Sequence, residues 1–542
     1  MTVRGRHGRA RWAFAVAAIA LSACQPNRFV SGWVPYWGAS SGRATISNTQ
    51  VSPLLDDVSM LWYGTNADGT ISTLGSTSSL QSVIDAARAQ GLPVLPTIFD
   101  SSPAGVMSGI IADPTARDAH IQHIVDLVVA KGYDGIDVDY EVFAFGNART
   151  QWPTIATNWI TFVHNLSVQL HARGKLLSVT VPPVWTDGPH IVGYTVYSQD
   201  QIADDVDRLR LMVYDWSVSL PGPIAPMSWV NSVISYSSSR VPTSKLQLGV
   251  PAYGRHWATQ KYTTEICPDG AVTKGSVDMK NYAALATAHH VTPVRDASGE
   301  LTFGWTEVVT GPRTRPLTPP VFPPPSTTIP SVTRPADAGG LQPALRLAPP
   351  STPVTCTLQH TVFVPDAASV RQRADAAVAA NWSGIIIWAF GYETSDVYQQ
   401  LAGVGLQRPG GAVVATLAAP VVEGGRVRVT GTAMHPDFDL PVPVRLTATP
   451  VGAGTTVVHT VLARTAVAGM PEGVGPFHGV SDTFSLPPGT YNVCGTMLLW
   501  GGATVTSMGC STVTVTLALY PSGTTPAQGA APQTARNTCF GS

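Results

Sequence analysis

The run Tyr133-Asp134-Gly135-Ile136-Asp137-Val138-Asp139-Tyr140-Glu141 constrains this chain more than any other stretch. It follows a helix-patterned segment, Ala119 to Lys131, whose Ile121, Ile124, Val125, Leu127 and Val128 share one side, and a turn at Gly132. From Gly135 apolar and acidic residues alternate one by one, which is the period of a strand. Side chains two apart on a strand share a face. The spacing therefore predicts Asp137, Asp139 and Glu141 in a row at steps of about 6.6 Å, twice the rise of roughly 3.3 Å per residue. Ile136, Val138 and Tyr140 face the other way. A solvated edge strand could carry three acids harmlessly, but a preceding helix and an apolar opposite face mark a strand inside a parallel sheet. Carboxylates stacked there are costly unless they share protons. A carboxylate crowded by others holds its proton to higher pH, as a general acid must. The stretch predicts catalysis.

The rest of the chain supplies partners for such a strand. FVSGWVPYW (Phe29 to Trp37), VSMLWY (Val58 to Tyr63) and LPVLPTIF (Leu92 to Phe99) are three strand-like runs before it, with Gln81 to Gln90 helical among them. After it come Leu176 to Val181, Leu209 to Tyr214, Leu246 to Pro251 and Gly384 to Phe390, with Trp159 to Arg173 helical before the first. Eight strands alternating with helical stretches predict an α/β fold, a closed (β/α)8 TIM barrel over 29–408 whose strand C-terminal ends carry the site.

Asp134, Gly135, Asp137, Asp139 and Glu141 match, without a gap, the DGxDxDxE signature of glycoside hydrolase family 18, the chitinase family. Met212-Val213-Tyr214-Asp215 resembles its MxYD segment and Gly249 to Arg255 its GxPxYGR segment, and Trp388 stands where the family has the tryptophan of strand eight. The resemblance implies hydrolysis in which the substrate's own N-acetyl oxygen is the nucleophile, the exception to the two-carboxylate scheme. Glu141 is then the general acid and base. Asp139 is expected to hold the acetamide N–H, Asp137 to share a proton with Asp139, and Tyr214 to bind the acetamide carbonyl. Asp215, Met212 and Tyr253 are expected to contact the sugar, Trp388 to floor the cleaved-sugar subsite, and Tyr36 and Arg255 to lie near the cleft. No metal or cofactor is implied. The rival reading is a family 18 lectin that binds without cutting, but such proteins have usually lost the acid that Glu141 provides here. A surface adhesin is a third.

Between strands seven and eight, residues 257–380 are expected to form a small α+β insertion: helix from Asp278 to His290, strand-like Val291 to Glu307 and His360 to Val364, then a helix from Ala367 to Ala380. HTVFVPDAASVRQRADAAV is similar to the subgroup acting on bacterial cell walls and spore cortex. Pro312 to Pro353 has too few large apolar residues to fold and is expected to be a disordered, polyproline-like loop. From 411 to 518 short alternating strands separated by Gly and Pro turns predict a β-sandwich of immunoglobulin-like or fibronectin-like size. Its candidate binding aromatics, Trp500 and Tyr491, are few, which favours a spacer over a carbohydrate-binding module. Residues 521–542 are expected to be disordered.

Residues 1–24 resemble an export signal: Arg4, Arg6, Arg9 and Arg11 precede an apolar run too short to span a bilayer permanently. Leu21-Ser22-Ala23-Cys24 resembles a lipobox. It implies acylation of Cys24 and anchoring to the outer face of a bacterial cell membrane, with plain secretion as the alternative. Without those four arginines 29 basic residues face 34 acidic ones, a formal charge of about −5. Nucleic acid is excluded as a partner, and a neutral sugar polymer bound by a monomer fits. Five cysteines follow Cys24, an odd number. Cys267 with Cys356, bracketing the Pro-rich stretch, and Cys494 with Cys510, flanking a hairpin, are candidate disulfides, and Cys539 is left over or joins Cys24.

Overall fold

Strands buried on both faces need cover on both sides, and a closed barrel wrapped in helices provides it. In the computed structural model, which describes residues 28–313, 352–405, 412–471 and 473–516, eight parallel strands do this. They are β1 (Val30–Pro35), β2 (Leu55–Thr65), β3 (Thr97–Phe99), β4 (Gly135–Asp139), β5 (Leu176–Val181), β6 (Arg208–Leu211), β7 (Leu246–Pro251) and β8 (Gly384–Trp388). Each pairs with its neighbours in sequence, and β1 also pairs with β8, which closes the ring.

Each strand is followed by at least one helix: α1 (Ala39–Ser47), α2 (Thr77–Ala89), α3 (Pro114–Ala130), α4 (Trp152–His171), α5 (Gln199–Ile202), α6 (Met227–Ser238), α7 (Ala367–Ala379) and α8 (Asp396–Leu401). Local chemistry sets their starts. Ser76 caps α2 and Asp113 caps α3, each accepting from a backbone N–H in the first turn, and Pro114 opens α3 where no donor is needed. Asp366 caps α7 in the same way.

α7 corrects the expected extent of the insertion. Its Val370, Ala374 and Ala377 are buried in the barrel core, so it is the covering helix of β7 and β8 and no part of the insertion. The insertion proper is a five-stranded antiparallel sheet that starts at Tyr253, directly after β7. Its order is Thr273–Asp278, Tyr253–Gln260, Thr352–Val364, Leu301–Arg313, Val294–Arg295. The helix within it is shorter than expected, Tyr282–Ala288, because Asp278 ends a strand and Met279–Asn281 form a 3-10 turn. Strand structure starts at Leu301, not Val291, apart from Val294–Arg295.

The two long arms of the sheet stay in register from Leu301↔Val364 to Arg313↔Thr352. Pro312 and Pro353, the expected ends of a disordered loop, face each other in that ladder, where a proline costs least because the strand is ending. Cys267 and Cys356 are disulfide-bonded below it, with Cα atoms 4.9 Å apart. Residues 314–351 lie outside the described residues, as do Cys24 with the 1–24 leader, Cys539 and the 521–542 tail. Among the described residues, no helix is long and apolar enough to cross a membrane.

Residues 412–516 form two antiparallel sheets over a shared core, Val427, Val429 and Phe484 on one face and Val444, Leu446, Val493 and Met497 on the other. Cys494 and Cys510 sit opposite each other on adjacent strands and are bonded. Tyr491 and Trp500 are each only 6% exposed, so neither offers a sugar-binding surface. The sandwich does more than trail behind the barrel. Its core takes in Leu95 and Leu176, which stand at the start of β3 and β5. Buried Arg208 pairs with Asp56 of the barrel and Asp439 of the sandwich. The sandwich therefore covers the N-terminal mouth of the barrel and leaves the C-terminal mouth open.

Candidate active site

The acidic stretch crosses the barrel from one mouth to the other, and each acid meets a different environment. Asp134 lies at the closed, sandwich side, where its carboxylate accepts from Val94 N at 2.8 Å and Gly501 N at 2.8 Å and pairs with Arg88. Gly135 is required by packing: a Cβ there would meet the Leu176 carbonyl oxygen at 2.3 Å. These two residues hold the strand and do not line the cleft.

Asp137 is the buried centre of a hydrogen-bonded plug. It accepts from Ser178 Oγ at 2.6 Å, Thr97 Oγ1 at 2.9 Å, Thr180 Oγ1 at 3.0 Å and Trp33 Nε1 at 3.1 Å. Arg210 stands 3.4 Å away and is itself held by Asp57, Ser59 and Gln247. With so many donors turned toward it, Asp137 serves as an acceptor hub.

Asp139, next toward the open mouth, is only 8% exposed, yet its Oδ1 has no hydrogen-bond partner among the described residues. Burial, and then the charges of Glu141, Asp137 and Asp100, push its carboxyl well above the usual carboxylate range. A buried acceptor left unsatisfied is costly, so Asp139 Oδ1 has capacity for a polar group that enters from the open mouth.

Glu141 departs from the expected row of three. β4 stops at Asp139, and residue 141 has helical backbone angles (φ −105°, ψ −43°) that open a short helix, Val142–Phe145. The turn brings the side chain to the rim of the mouth. Burial first, then the negative charges of Asp100 and Asp215, push its carboxyl up to about 7. Asp100, at the end of β3, accepts from the backbone N–H of Glu141 at 2.7 Å, of Val142 at 2.9 Å and of Phe143. Sequence reasoning missed this residue. Its only signal was an acid directly after the apolar run LPVLPTIF.

The remaining expected residues gather around this pair. Asp215, held in the left-handed region at φ 62°, accepts from Tyr253 Oη at 2.7 Å and from Arg255 at 2.9 and 2.7 Å. Met212, Tyr214 and Asp215 lie where two clefts meet at Glu141. One, about 590 Å³, is lined by Tyr36, Trp37, Asp139, Tyr253 and Trp388 among others. The second, about 450 Å³, runs the other way past Phe145, Tyr194 and three tryptophans, Trp185, Trp216 and Trp229. Trp185 and Trp216 have ring centres 5.6 Å apart, and Trp216 and Trp229 5.1 Å. Of this second group only Trp216 adjoins a quoted motif, directly after Asp215. Trp185 and Trp229 come from a hairpin and from α6, which no linear pattern joins.

A sequence profile of the family described as Glycosyl hydrolases family 18 matches residues 32–393, more than half of the chain. The cortical fragment-lytic enzyme of Bacillus anthracis is 24% identical over 212 residues, which are 38% of this chain and 47% of that protein. The chain thus spans less than half the length of that relative. Among solved structures, the Bacillus cereus spore cortex-lytic enzyme SleL superposes with a TM-score of 0.51 at 18% identity, over 70% of this chain and 74% of that one. The class V chitinase of Pseudomonas fluorescens Pf-5 gives 0.51 at 22% identity, over 69% and 98%. At these identities the superpositions speak for the fold, a closed barrel of the same kind. The profile match runs from within β1 through β8 and takes in the acidic stretch at their centre, and on that ground the chain belongs to glycosyl hydrolases family 18.

Proposed function

We propose that this protein is a glycosidase that cleaves β-1,4 linkages of N-acetylglucosamine-containing polysaccharide, chitin or peptidoglycan, by substrate-assisted hydrolysis with net retention. The observation that carries the reading is the pairing of a buried, unsatisfied Asp139 with the proton-holding Glu141 at the open mouth. An acetamide N–H supplies what Asp139 Oδ1 lacks. The names of the relatives, a cortical fragment-lytic enzyme and a class V chitinase, support the same class of polymer.

In the first step Glu141 gives its proton to the glycosidic oxygen. As the bond from that oxygen to C1 breaks, the acetamide carbonyl oxygen bonds to C1 and forms a cyclic oxazolinium ion. Asp139 accepts from the N–H and steadies the growing positive charge, while Tyr214 donates to the acetamide oxygen. Glu141, now a carboxylate, takes a proton from water, whose oxygen attacks C1 and reopens the ring. Trp388 lies under the sugar being attacked. The cleft continues on both sides of Glu141, which supports cutting within a chain over trimming its end. Cys24 and the preceding leader support export and a lipid anchor. Membrane partitioning that disappears in Cys24→Ala, with an acyl chain seen by mass spectrometry, is the expected outcome.

The test of the function is turnover of N-acetylglucosamine oligomers beside the same oligomers deacetylated at the cleaved sugar, with chitin and purified cell walls in parallel. Cleavage of the acetylated substrate alone, with the β-anomer released first, is expected. Equal rates on both would mean that another group is the nucleophile, and binding without turnover would make the protein a lectin.

A further inference from the structure

We propose that Asp100 is a positioning residue for Glu141, fixing through the backbone where the general acid stands; this rests on the function proposed above. Glutamate has three side-chain torsions, so the acid is aimed only if its own peptide is fixed. Two anchors do that. On the carbonyl side the short helix ties Glu141 O to Ala144 N at 3.0 Å and Phe145 N at 2.9 Å. On the amide side nothing in β4 continues, because the strand has ended, and the three successive N–H groups of residues 141–143 turn instead to one carboxylate, Asp100. That carboxylate is 1% exposed and belongs to a neighbouring strand end, so it couples the catalytic loop to the rigid ring of strands. Hydrogen bonds from neutral donors to a charged acceptor are stronger than neutral pairs, which suits a clamp.

The same placement has an electrostatic consequence. The groups that face Asp100 and Glu141 are Asp139 (itself beside Asp137) and Tyr140 of the acidic stretch, Tyr197 after β5, Tyr214 and Asp215 after β6, and Arg255, whose charge is taken up by Asp215. Asp100 is thus an anion beside an acid that must keep its proton. Burial pushes the Asp100 carboxyl up to about 6 while the three N–H bonds pull it down, and Glu141 stands at about 7. Removing the Asp100 charge weakens the repulsion that keeps the proton on Glu141, so the acid is lost at lower pH.

The experiment compares the full chain with Asp100→Asn and Asp100→Ala by melting temperature, by kcat and KM against pH on N-acetylglucosamine oligomers, and by 13C NMR titration of the Glu141 carboxyl without substrate. Asn keeps an acceptor for two of the three N–H groups and Ala keeps none. The expected result is a loss of kcat of about tenfold in Asn and more in Ala, with KM within a few-fold. The titration midpoint of Glu141 and the alkaline limb of kcat/KM should both move to lower pH by about half a unit or more. A folded Asp100→Asn protein with wild-type kcat and an unmoved midpoint overturns the proposal. So does a loss of activity that follows the loss of folded protein while the midpoint stays put. Because the titration needs no turnover, an inactive wild type would count against the glycosidase reading and leave the Asp100 proposal to be decided by the midpoint.

Discussion

At the scale of single residues, the barrel's acidic stretch divides its labour by depth. Asp134 fastens the closed end, Asp137 fills the interior with hydrogen bonds, Asp139 waits unsatisfied, and Glu141 turns out to the rim. Glu141→Gln is therefore expected to keep fold and oligomer binding while kcat falls by roughly 10²–10⁴-fold; turnover within a few-fold of wild type would remove Glu141 from its role. The pH dependence has a definite sign. In the mechanism proposed above the first step needs protonated Glu141, whose carboxyl is raised to about 7, so kcat/KM should decline as pH rises through that value. A profile flat from pH 6 to 9 contradicts this. In the sequence, the positions of Asp139 and Glu141 were legible because their motif is contiguous. The part of Asp100 was not, since its partners lie about forty residues further along the chain and are peptide N–H groups, which every residue has.

At the scale of elements, the second cleft is assembled from a hairpin (Val184–Gly193), the segment after β6 and α6, each giving one tryptophan. Trp216 is 48% exposed there, as a stacking surface for a sugar would be. Trp216→Ala should raise KM for long oligomers by up to about tenfold, the equivalent of one aromatic contact of about 1.4 kcal/mol, and leave the shortest substrate nearly unchanged. An equal effect on substrates of every length would place Trp216 outside the binding path. The insertion makes a different case. Its long arms are paired as far as Arg313 and Thr352 and tied by Cys267–Cys356. Replacing residues 314–351 by a short turn should thus cost little, since loop closure changes by only about 2 kcal/mol, and in the favourable direction. Activity and melting temperature close to wild type are expected, and a large fall in either would give that segment a structural duty.

At the scale of the whole molecule, the two mouths of the barrel are used for opposite purposes. The sandwich seals the N-terminal mouth through Leu95, Leu176, the Arg208 pairs and the Gly501 N–H to Asp134, on the face where such barrels keep their stability. Calorimetry of the full chain should then show barrel and sandwich melting together. A chain ending at residue 405 should melt lower by roughly 5 °C or more, because apolar and charged groups of the barrel floor lose their cover. The proposed activity should survive at low temperature, since among the described residues no cleft residue comes from the sandwich. An unchanged melting temperature in the shortened protein would reduce the sandwich to a passenger.

What the sequence determined by itself was whatever is written in neighbouring residues. The alternation from Gly135 announced a strand, its five fixed positions announced a family, and the order of eight apolar runs announced a closed barrel, because period and spacing are local properties. Tertiary structure decided what distant residues do to one another. It took Glu141 off the strand, because three N–H groups found Asp100. It occupied Asp137 fully, because Trp33, Thr97, Ser178 and Thr180 converge on it from three strands. It moved α7 from the insertion to the barrel wall, since an amphipathic helix carries no mark of which core it covers. And it put the sandwich beneath the barrel, where Arg208 meets Asp439 across 231 positions of sequence, a pairing fixed by burial and charge that no linear pattern records.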